Sequence, residues 1–389
     1  MPKPISLKLT ILLACIFAIS PLAIDTYLPA VTNIASDLKA DSELVSLTVS
    51  LYVLGLAFGQ LIGGPLSDKY GRRKVIISGL SIFALASCLL ASAQSIELLW
   101  LYRIIQALGG GVAAVCVPAI IRDHVAGAQA AKLFSFIALM MMLAPALAPS
   151  LGTLILTLTN WHGIFIFLAF FSTLIIIAIK LILKQPEKSQ QNRTQALSLW
   201  QIVRHPKAIK FLLAQAFGYS VLMIFLANSP LIYMEYFNLS SAQFSLLFSL
   251  NVAVIIIINR LNSLLLNRYQ PHSLLKVFFA MQLLGGLCLL LSAAFFSQQI
   301  YLVVIGFALA IGAISGIGPN AQACYLNYFE QNAGSASAVF GFTQYASGAT
   351  LSALSSLCFN QTLWPASLAI FCCALISWLA IQGKVDESA

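Results

Sequence analysis

Charged residues are scarce in this chain. Only 8% of its 389 residues are Asp, Glu, Lys or Arg, and 12 of these are acidic. Soluble domains carry about 25% charged residues, so water cannot be the only solvent of this protein. Hydrophobic residues make up 60% of the chain, and the mean hydropathy is +0.92. The composition excludes an ordinary soluble fold and indicates a membrane protein.

The alternation of apolar and polar residues that marks the strands of a membrane barrel is missing from apolar runs such as 252–258 and 283–296. A helix needs about 20 mostly apolar residues to cross a bilayer. The segments that meet this requirement lie near 7–32, 42–64, 75–94, 97–121, 131–157, 163–183, 208–234, 241–266, 274–296, 299–323, 334–357 and 363–382. The sequence therefore predicts an all-α membrane protein with twelve transmembrane helices.

The chain also lacks the motifs of an enzyme. Its four His residues share no helical face and have no carboxylate at ligand spacing, and it has no phosphate-binding G-x-x-x-x-G-K-[ST] sequence. All eight Cys residues lie in apolar segments without C-x-x-C spacing, which is typical of small apolar helix residues. We expect no enzymatic activity, no metal site and no cofactor.

Basic residues outnumber acidic ones, 21 to 12, which gives a net charge of +9. If the N-terminus is cytoplasmic, all Lys and Arg residues except two lie at cytoplasmic helix ends. Lys39 lies outside, and Arg103 lies within a helix. This distribution follows the positive-inside rule and predicts that both termini are cytoplasmic. The basic charge thus indicates a lipid bilayer as the protein's surroundings, and we expect no nucleic acid partner.

Residues 184–207 form the longest polar stretch, and six predicted spans lie on either side of it. They read as a cytoplasmic linker between an N-terminal six-helix bundle, 1–183, and a C-terminal six-helix bundle, 208–389.

A weak internal repeat supports two related halves. The segment LSDKYGRRKV after the second span is echoed by LNRYQPHSLLKV after the eighth span, at 66–75 and 266–277. The fourth span aligns likewise with the tenth, and Arg103 then falls on Val304. Duplicated membrane bundles commonly place the substrate between the repeats and move by rocking one half against the other.

The loop GPLSDKYGRRKVI between the second and third spans is the most specific motif in the chain. Gly64 and Gly71 permit a tight turn close to neighbouring helices. Asp68 closes the second span, and Arg72 and Arg73 hold the loop at the cytoplasmic face. The loop resembles the signature of the major facilitator superfamily, G-x-L-x-D-x-x-G-R-[RK]. The resemblance implies a fold of two pseudo-symmetric six-helix bundles and a role for this loop in gating, with Asp68 near the start of the eleventh span.

Three further segments narrow the resemblance. They are IDTYLPAVTNIASDL, LYRIIQALGGGVAAV and FLANSPLIYMEYFNLSSAQFSLLFSLN. They are similar to drug:proton antiporters with twelve spans, and among these to the bicyclomycin and chloramphenicol resistance group. The chain departs from the group pattern at Ala107, where Gly is normal, and at Trp161-His162, where Trp-Arg is usual. The fifth-span motif G-P-x-x-G-G survives only as APSLGT.

The resemblance implies a proton-coupled exporter of small amphipathic compounds such as drugs, working by alternating access. The substrate is then a small molecule exchanged for protons, and the proton gradient rather than a cofactor supplies the energy. We expect the protein to act as a monomer in the bacterial inner membrane. Two alternatives remain open, a dedicated exporter of one metabolite such as a siderophore or peptide, and a membrane sensor or assembly partner without transport.

Asp25 is the only acidic residue well inside a predicted span, and a charge within the bilayer is a functional candidate by default. Its candidate partner is Arg103. By helical rise both residues lie about 10 Å below the outer surface, so a contact or a shared water is geometrically allowed. The pair is either a structural ion pair or the proton-coupling site. We favour proton coupling, because a conformational change in the distance to Arg103 would alter the proton affinity of Asp25.

Other candidate functional residues lie in the fifth span and around the expected cavity. Pro145, Pro149 and Gly152 belong to the fifth-span motif, where a kinked helix would control leak; ordinary membrane prolines would look the same. The substrate-cavity candidates are large or polar residues on spans expected to face the centre, although each alone also fits packing. They are Tyr27, Met141, Tyr219, Asn228, Asn251, Phe340, Gln344 and Tyr345.

Overall fold

The protein is described by a computed structural model that covers residues 7–124, 127–183, 199–329 and 333–382. Nearly all of these residues are helical. In chain order the α-helices of the described residues are α1 (Leu7–Asp25), α2 (Val31–Leu38), α3 (Ser42–Tyr70), α4 (Arg72–Leu90), α5 (Ile96–Ala114), α6 (Cys116–His124), α7 (Gly127–Leu158), α8 (Trp161–Ile182), α9 (Leu199–Val203), α10 (Ile209–Pro230), α11 (Ser241–Leu265), α12 (Pro271–Phe295), α13 (Ile300–Gly312), α14 (Ile314–Leu326), α15 (Ala333–Leu357) and α16 (Trp364–Ile381).

Ten helical segments of the described residues are long and apolar enough to cross a membrane. They match ten of the predicted spans, and α7 and α15 occupy the two remaining positions. The described apolar part of α7 is Leu143–Leu158, while many Ser, Thr and Gly residues make α15 more polar than the ten. The predicted all-α architecture is therefore confirmed, with a helix at each expected position. The orientation of the termini stays a prediction.

The first span is interrupted near its C-terminal end. It runs over Leu7–Leu38 and consists of α1, a 3₁₀ turn at Leu28–Ala30, and α2. Pro29 explains the interruption, because proline has no N–H to donate to the carbonyl four residues earlier, which is that of Asp25, and its ring crowds that carbonyl. The α-helix consequently ends at Asp25. A local rule of the sequence thus places the candidate acid at the end of a helix.

The chain divides into two compact units. Unit 1 comprises Met1–Asn192 together with Ser241–Ser249, and unit 2 comprises Arg193–Ser240 together with Leu250–Ala389. Residues 184–198 of the predicted linker lie outside the described part, and the short helix α9 follows them. The predicted bundle boundaries stay a prediction.

Within unit 1, α5 packs tightly between α3 and α4. A Cβ atom on Gly59 would lie 2.4 Å from the Leu108 carbonyl oxygen, and one on Gly111 would lie 2.5 Å from the Leu56 carbonyl oxygen. Only glycine allows the two backbones to approach this closely. The helix that carries Arg103 is therefore held firmly within the unit.

Unit 2 is organised around α10 and α12. Helix α10 packs against α14, α15 and α16, and α12 packs against α13, α14 and α16. At one crossing a Cβ atom on Gly285 would lie 2.4 Å from the Ala310 backbone nitrogen. A cluster of apolar side chains that includes Phe211, Phe279 and Tyr325 fills the core. Both units therefore use close helix packing, and they differ in the polar groups that they bury.

Candidate functional site

Asp25 is buried inside unit 1. It is the last residue of α1 and only 3% exposed. Its Oδ1 atom has no hydrogen-bond partner within the protein. A carboxylate at the C-terminal end of a helix also faces the negative end of the helix dipole. The cost of burying an unpaired carboxylate falls when it binds a proton.

Arg103 is completely buried and is surrounded by aromatic rings. Its Cζ atom lies 3.9 Å from the centre of the Tyr27 ring and 5.3 Å from the centres of the Tyr52 and Phe165 rings. The negative faces of such rings attract a guanidinium, by about 2 kcal/mol or more where water is excluded. The three rings, which come from the turn after α1, from α3 and from α8, therefore form a cage that stabilises a cation inside the bundle.

The guanidinium also holds the broken end of α1. Arg103 Nη1 donates to the Ala23 carbonyl oxygen at 3.1 Å and to Gln106 Oε1 at 2.9 Å. Gln106 Nε2 in turn donates to Ser87 Oγ at 2.8 Å. The last carbonyls of a helix lack donors from their own helix, so a side-chain donor stabilises this end. Arg103 of α5 is thus hydrogen-bonded to the backbone of the last turn of α1.

No ion pair between Asp25 and Arg103 forms in the described residues, although the sequence allowed one. Arg103 lies instead in the aromatic cage, and its Nη1 atom donates to the Ala23 carbonyl and to Gln106. The physical reason is the end of α1, which offers backbone carbonyls beside the carboxyl group. In this conformation the two residues occupy one region without neutralising each other.

Gly152 of the fifth-span motif lies against the interruption in the first span. A Cβ atom on Gly152 would lie 1.8 Å from the Thr26 carbonyl oxygen and 2.8 Å from its carbonyl carbon. No side chain fits at this distance unless the backbone moves. Pro145 and Pro149 lie in the same helix, which continues through both of them. The surviving glycine of the motif thus contacts the backbone of Thr26, the residue that follows the candidate acid Asp25.

Three serines on one face of α11 bind the same region of unit 1. Ser241 Oγ donates to the Pro29 carbonyl oxygen at 3.0 Å, and Ser249 Oγ donates to the Ala146 carbonyl oxygen at 3.0 Å. Between them, Ser245 Oγ and Thr153 Oγ1 lie 2.8 Å apart. Spacing by four residues places the serines on one helical face. The first turns of α11 are thereby hydrogen-bonded to the interrupted first span and to α7.

In the signature loop, Gly71 has φ 91° and separates α3 from α4, so the turn that requires glycine is at this position. The close-packing role expected for Gly64 is wrong in this conformation, because Gly64 lies inside α3 and a Cβ atom there would meet nothing within 4 Å. Arg72 Nη1 donates to Ser67 Oγ, and Arg73 Nη2 donates to the Lys180 carbonyl oxygen at 2.9 Å. The loop is thus attached to the end of α8. The side chain of Asp68 lies outside the described residues.

The predicted cavity residues fall into three groups. Tyr27 belongs to the Arg103 cage, and its hydroxyl lies 2.7 Å from Thr48 Oγ1, so it is buried rather than on an open face. Asn228, Asn251 and Phe340 are buried in unit 2. Tyr219, Gln344 and Tyr345 are half-buried on α10 and α15, and the two tyrosine rings meet edge to face at 5.5 Å. The side chain of Met141 lies outside the described residues.

The sequence did not single out several residues that complete the site. Gln106 follows Arg103 by three residues, so helical spacing alone places it on the same face and could have identified it. Tyr52 and Phe165 lie far from Arg103 in sequence, and no local sequence pattern predicts that they contact it. No three His, Cys, Asp or Glu side chains lie together as metal ligands in the described ranges.

Comparison with known proteins identifies the family. The sequence profile of the Major Facilitator Superfamily matches residues 13–353, most of the chain. This chain belongs to the Major Facilitator Superfamily. The family predicted from the signature loop is confirmed, and the protein is a multi-pass membrane transporter of small molecules rather than an enzyme.

The relatives place the chain near drug-resistance proteins. A bicyclomycin resistance protein homolog from Haemophilus influenzae is 28% identical over 368 residues, covering 92% of each chain. The multidrug resistance protein MdtL from Vibrio parahaemolyticus is 29% identical over 344 residues, covering 87% of this chain and 86% of its own. The predicted bicyclomycin-resistance group is thus represented among these relatives.

A solved structure shares the fold. The crystal structure of a D-xylose-proton symporter superposes with a TM-score of 0.74 at 17% sequence identity, over 97% of this chain and 99% of that chain. At this identity the similarity shows the fold alone.

Proposed function

We propose that this transporter exports small amphipathic compounds, such as drugs, in exchange for protons, by alternating access and as a monomer in the bacterial inner membrane. The observation that carries the proposal is Asp25, a buried carboxyl group whose Oδ1 atom has no partner in the protein. Arg103 lies in the same region but is bound to other groups. Asp25 is therefore available to bind and release a proton as its surroundings change.

In this scheme Arg103 is a fixed cation whose distance from Asp25 affects the protonation equilibrium of that carboxyl group. A nearby positive charge favours the ionised form of an acid, and burial opposes it. The cage and the Ala23 carbonyl hold the guanidinium in place, so a movement of the turn after Asp25 changes the distance between the two groups. Exchange follows if substrate binding and protonation of Asp25 exclude each other.

The proton gradient supplies enough energy for this exchange. One proton that enters down about 120 mV and one pH unit releases about 4 kcal/mol. This free energy supports about a thousand-fold gradient of a neutral substrate. A monovalent cation exchanged for one proton moves no net charge, so only the pH difference of about tenfold remains to drive it.

The half-buried aromatic and amide face of unit 2 is the proposed substrate contact. Tyr219 and Tyr345 present two rings, and Gln344 accepts a hydrogen bond from Gln215 Nε2 at 2.8 Å. Rings bind apolar parts of a small molecule, and amides bind its polar groups. The names of the relatives, bicyclomycin resistance and multidrug resistance, favour several drug-like substrates over one dedicated metabolite.

Gating is proposed to involve the signature loop, where Arg72 and Arg73 bind Ser67 and the end of α8. Gly71 allows the sharp turn between α3 and α4. Asp68 completes this loop by resemblance. The fifth-span residues Pro145, Pro149 and Gly152 are proposed to hold α7 against the interrupted first span.

The test is substrate-induced proton release from proteoliposomes across a panel of drugs and metabolites. Wild-type protein is expected to release protons with some members of the panel, and Asp25→Asn is expected to release none. Asp37→Asn is the matched control, since Asp37 is an acid of the same span that is 55% exposed and accepts a hydrogen bond from Trp161. Equal proton release from wild type and Asp25→Asn would contradict the assignment.

A further inference from the structure

Unit 1 contains a concentration of buried polar atoms that lack a hydrogen-bond partner within the protein, beyond Asp25 itself. Most buried polar groups in proteins have a partner, and internal water is the usual one where no side chain serves. The atoms around the candidate site are Ser20 Oγ, Asp25 Oδ1, Thr26 Oγ1, Tyr52 OH, Arg103 Nε and Arg103 Nη2. Their grouping indicates a place where water binds inside the bundle.

Tyr52 lies between Arg103 and Ser20, with its ring near the guanidinium and its hydroxyl near the serine. Its ring centre lies 5.3 Å from Arg103 Cζ. Its hydroxyl and Ser20 Oγ both lie beside Gly110, and neither oxygen has a hydrogen-bond partner within the protein. Ser20 precedes Asp25 by five residues in the same helix, which is about 7.5 Å along the axis. The two hydroxyls therefore lie on the N-terminal side of Asp25, and a proton needs bound water to cross the space between them and the carboxyl group.

Gly110 borders the two hydroxyls. A Cβ atom at this position would lie 3.1 Å from Ser20 Oγ, 3.3 Å from the Tyr52 hydroxyl and 3.5 Å from the Phe83 ring. Because Gly110 has no side chain, α5 leaves space beside the Ser20 and Tyr52 hydroxyls. Gly110→Ala would press a methyl group against both oxygens.

The chemistry of these groups decides which of them can pass a proton. Arg103 only donates hydrogen bonds and stays charged, so it can orient water but cannot relay a proton. Tyr and Ser hydroxyls donate and accept at once, as water does. Among the side chains that the structure describes, the titratable or charged groups facing this space are Asp25 at the end of α1, Tyr27 in the turn after it, Tyr52 on α3 and Arg103 on α5. Helix α8 contributes Phe165, and α7 contributes Gly152.

We propose that Tyr52 and Ser20, bridged by bound water, form the path by which Asp25 releases its proton toward the N-terminal end of α1. Protonated Asp25 gives its proton to a water molecule, which passes one of its own protons to the Tyr52 oxygen. The Tyr52 hydroxyl proton moves to the next water or to Ser20, whose hydroxyl proton moves on. Each relay oxygen ends with its original number of hydrogens, and Asp25 has lost one proton. This inference rests on the proposed function, because it assigns a route to the proton of that exchange.

Comparing the rates of proton-driven transport and of substrate exchange distinguishes a role in the proton relay from a structural role. Exchange of labelled for unlabelled substrate across the membrane requires binding and conformational change but no net proton release. Tyr52→Phe is expected to slow proton-driven transport and the associated proton release by about a hundredfold, the low end of what a positioned proton-transfer group contributes. It is expected to leave substrate exchange at the wild-type rate. Ser20→Ala and Gly110→Ala are expected to show the same pattern.

Tyr325→Phe is the matched control, because Tyr325 in unit 2 is another buried tyrosine whose hydroxyl has no partner within the protein. It is expected to change neither rate. Equal proton-driven rates in wild type and Tyr52→Phe would overturn the relay while leaving the proposed function intact. Parallel losses of exchange and proton-driven transport would assign Tyr52 a structural role instead. Wild-type protein that exchanges substrate without releasing protons would overturn the proposed function, and the relay with it.

Discussion

The interiors of the two units bury polar groups of different kinds. Unit 1 holds a carboxyl group and a guanidinium, Asp25 and Arg103, and these are the buried charged residues among the side chains that the structure describes. Unit 2 holds neutral amides that bind one another across helices. Asn320 Nδ2 donates to Asn262 Oδ1 at 2.8 Å, and Gln215 donates to Gln344 at the same distance.

The two kinds of group have different consequences. A neutral amide pair links two helices at little cost, because neither group carries a net charge. A buried charge needs a dedicated environment, which unit 1 provides through three aromatic rings, a backbone carbonyl and Gln106. In the repeat alignment Arg103 corresponds to Val304, so the charge belongs to one half only. We infer that proton chemistry is concentrated in unit 1 and that the polar network of unit 2 holds helices and contacts substrate.

The largest expected effect comes from replacing Arg103 by valine, the residue found at the corresponding position of the other half. Arg103→Val removes the cation from its cage and leaves the Ala23 carbonyl without this donor, which should cost about 3 kcal/mol of stability. Transport should be lost as well. Thermal unfolding in detergent and proton-driven transport measure the two effects. The control is Val304→Ala, which removes little from a half-buried position and should cost less than about 1 kcal/mol. Equal losses in both variants would show that the halves do not differ in this way.

The next effect concerns the contact between Gly152 and Thr26. Gly152→Ala places a methyl group where the Thr26 carbonyl oxygen lies, so the turn after Asp25 must shift. Such overpacking should destabilise the protein by about 1 to 3 kcal/mol and lower the rate of proton-driven transport. The pH dependence of transport should change with it, because the surroundings of Asp25 change. A wild-type pH profile in a folded Gly152→Ala variant would separate this contact from proton coupling.

A smaller effect is expected for the amide pair of unit 2. Asn262→Ala and Asn320→Ala should each reduce stability by about 1 kcal/mol, as is usual for interhelical hydrogen bonds in membranes. The double variant should lose less than the sum of the two, since both changes remove the same bond. Proton release per transported substrate should stay at the wild-type value in all three. A changed ratio would extend proton coupling into unit 2.

The smallest effect is expected at Gly341, where a Cβ atom would meet nothing within 4 Å. Gly341→Ala should leave stability unchanged or raise it by up to about 1 kcal/mol, because alanine favours a helix over glycine. Measured beside Gly152→Ala, it reports what the same substitution does without a clash. A large loss of stability at Gly341 would mean that α15 is packed more closely in the membrane than in this conformation.

Much of the fold could be predicted from local rules. The apolar runs predict the helices because a bilayer demands about 20 apolar residues for each crossing. The interruption of the first span at Pro29 was not predicted, although the local rule for proline explains it once the structure shows that the helix ends at Asp25. Gly71 was correctly assigned to a tight turn, and Gly64 was not, because spacing in a motif does not reveal whether a glycine lies in a turn or inside a helix.

By itself, the sequence determined the family, the helices and the two charged residues that lie inside predicted spans. Only the tertiary structure decided which groups surround those charges. Arg103 contacts Tyr52 from α3 and Phe165 from α8 and donates to a carbonyl at the end of α1, while Asp25 keeps an oxygen without a partner. The physical reason is that composition and periodicity specify local structure, whereas the partners of a buried charge come from helices distant in sequence and depend on the three-dimensional packing.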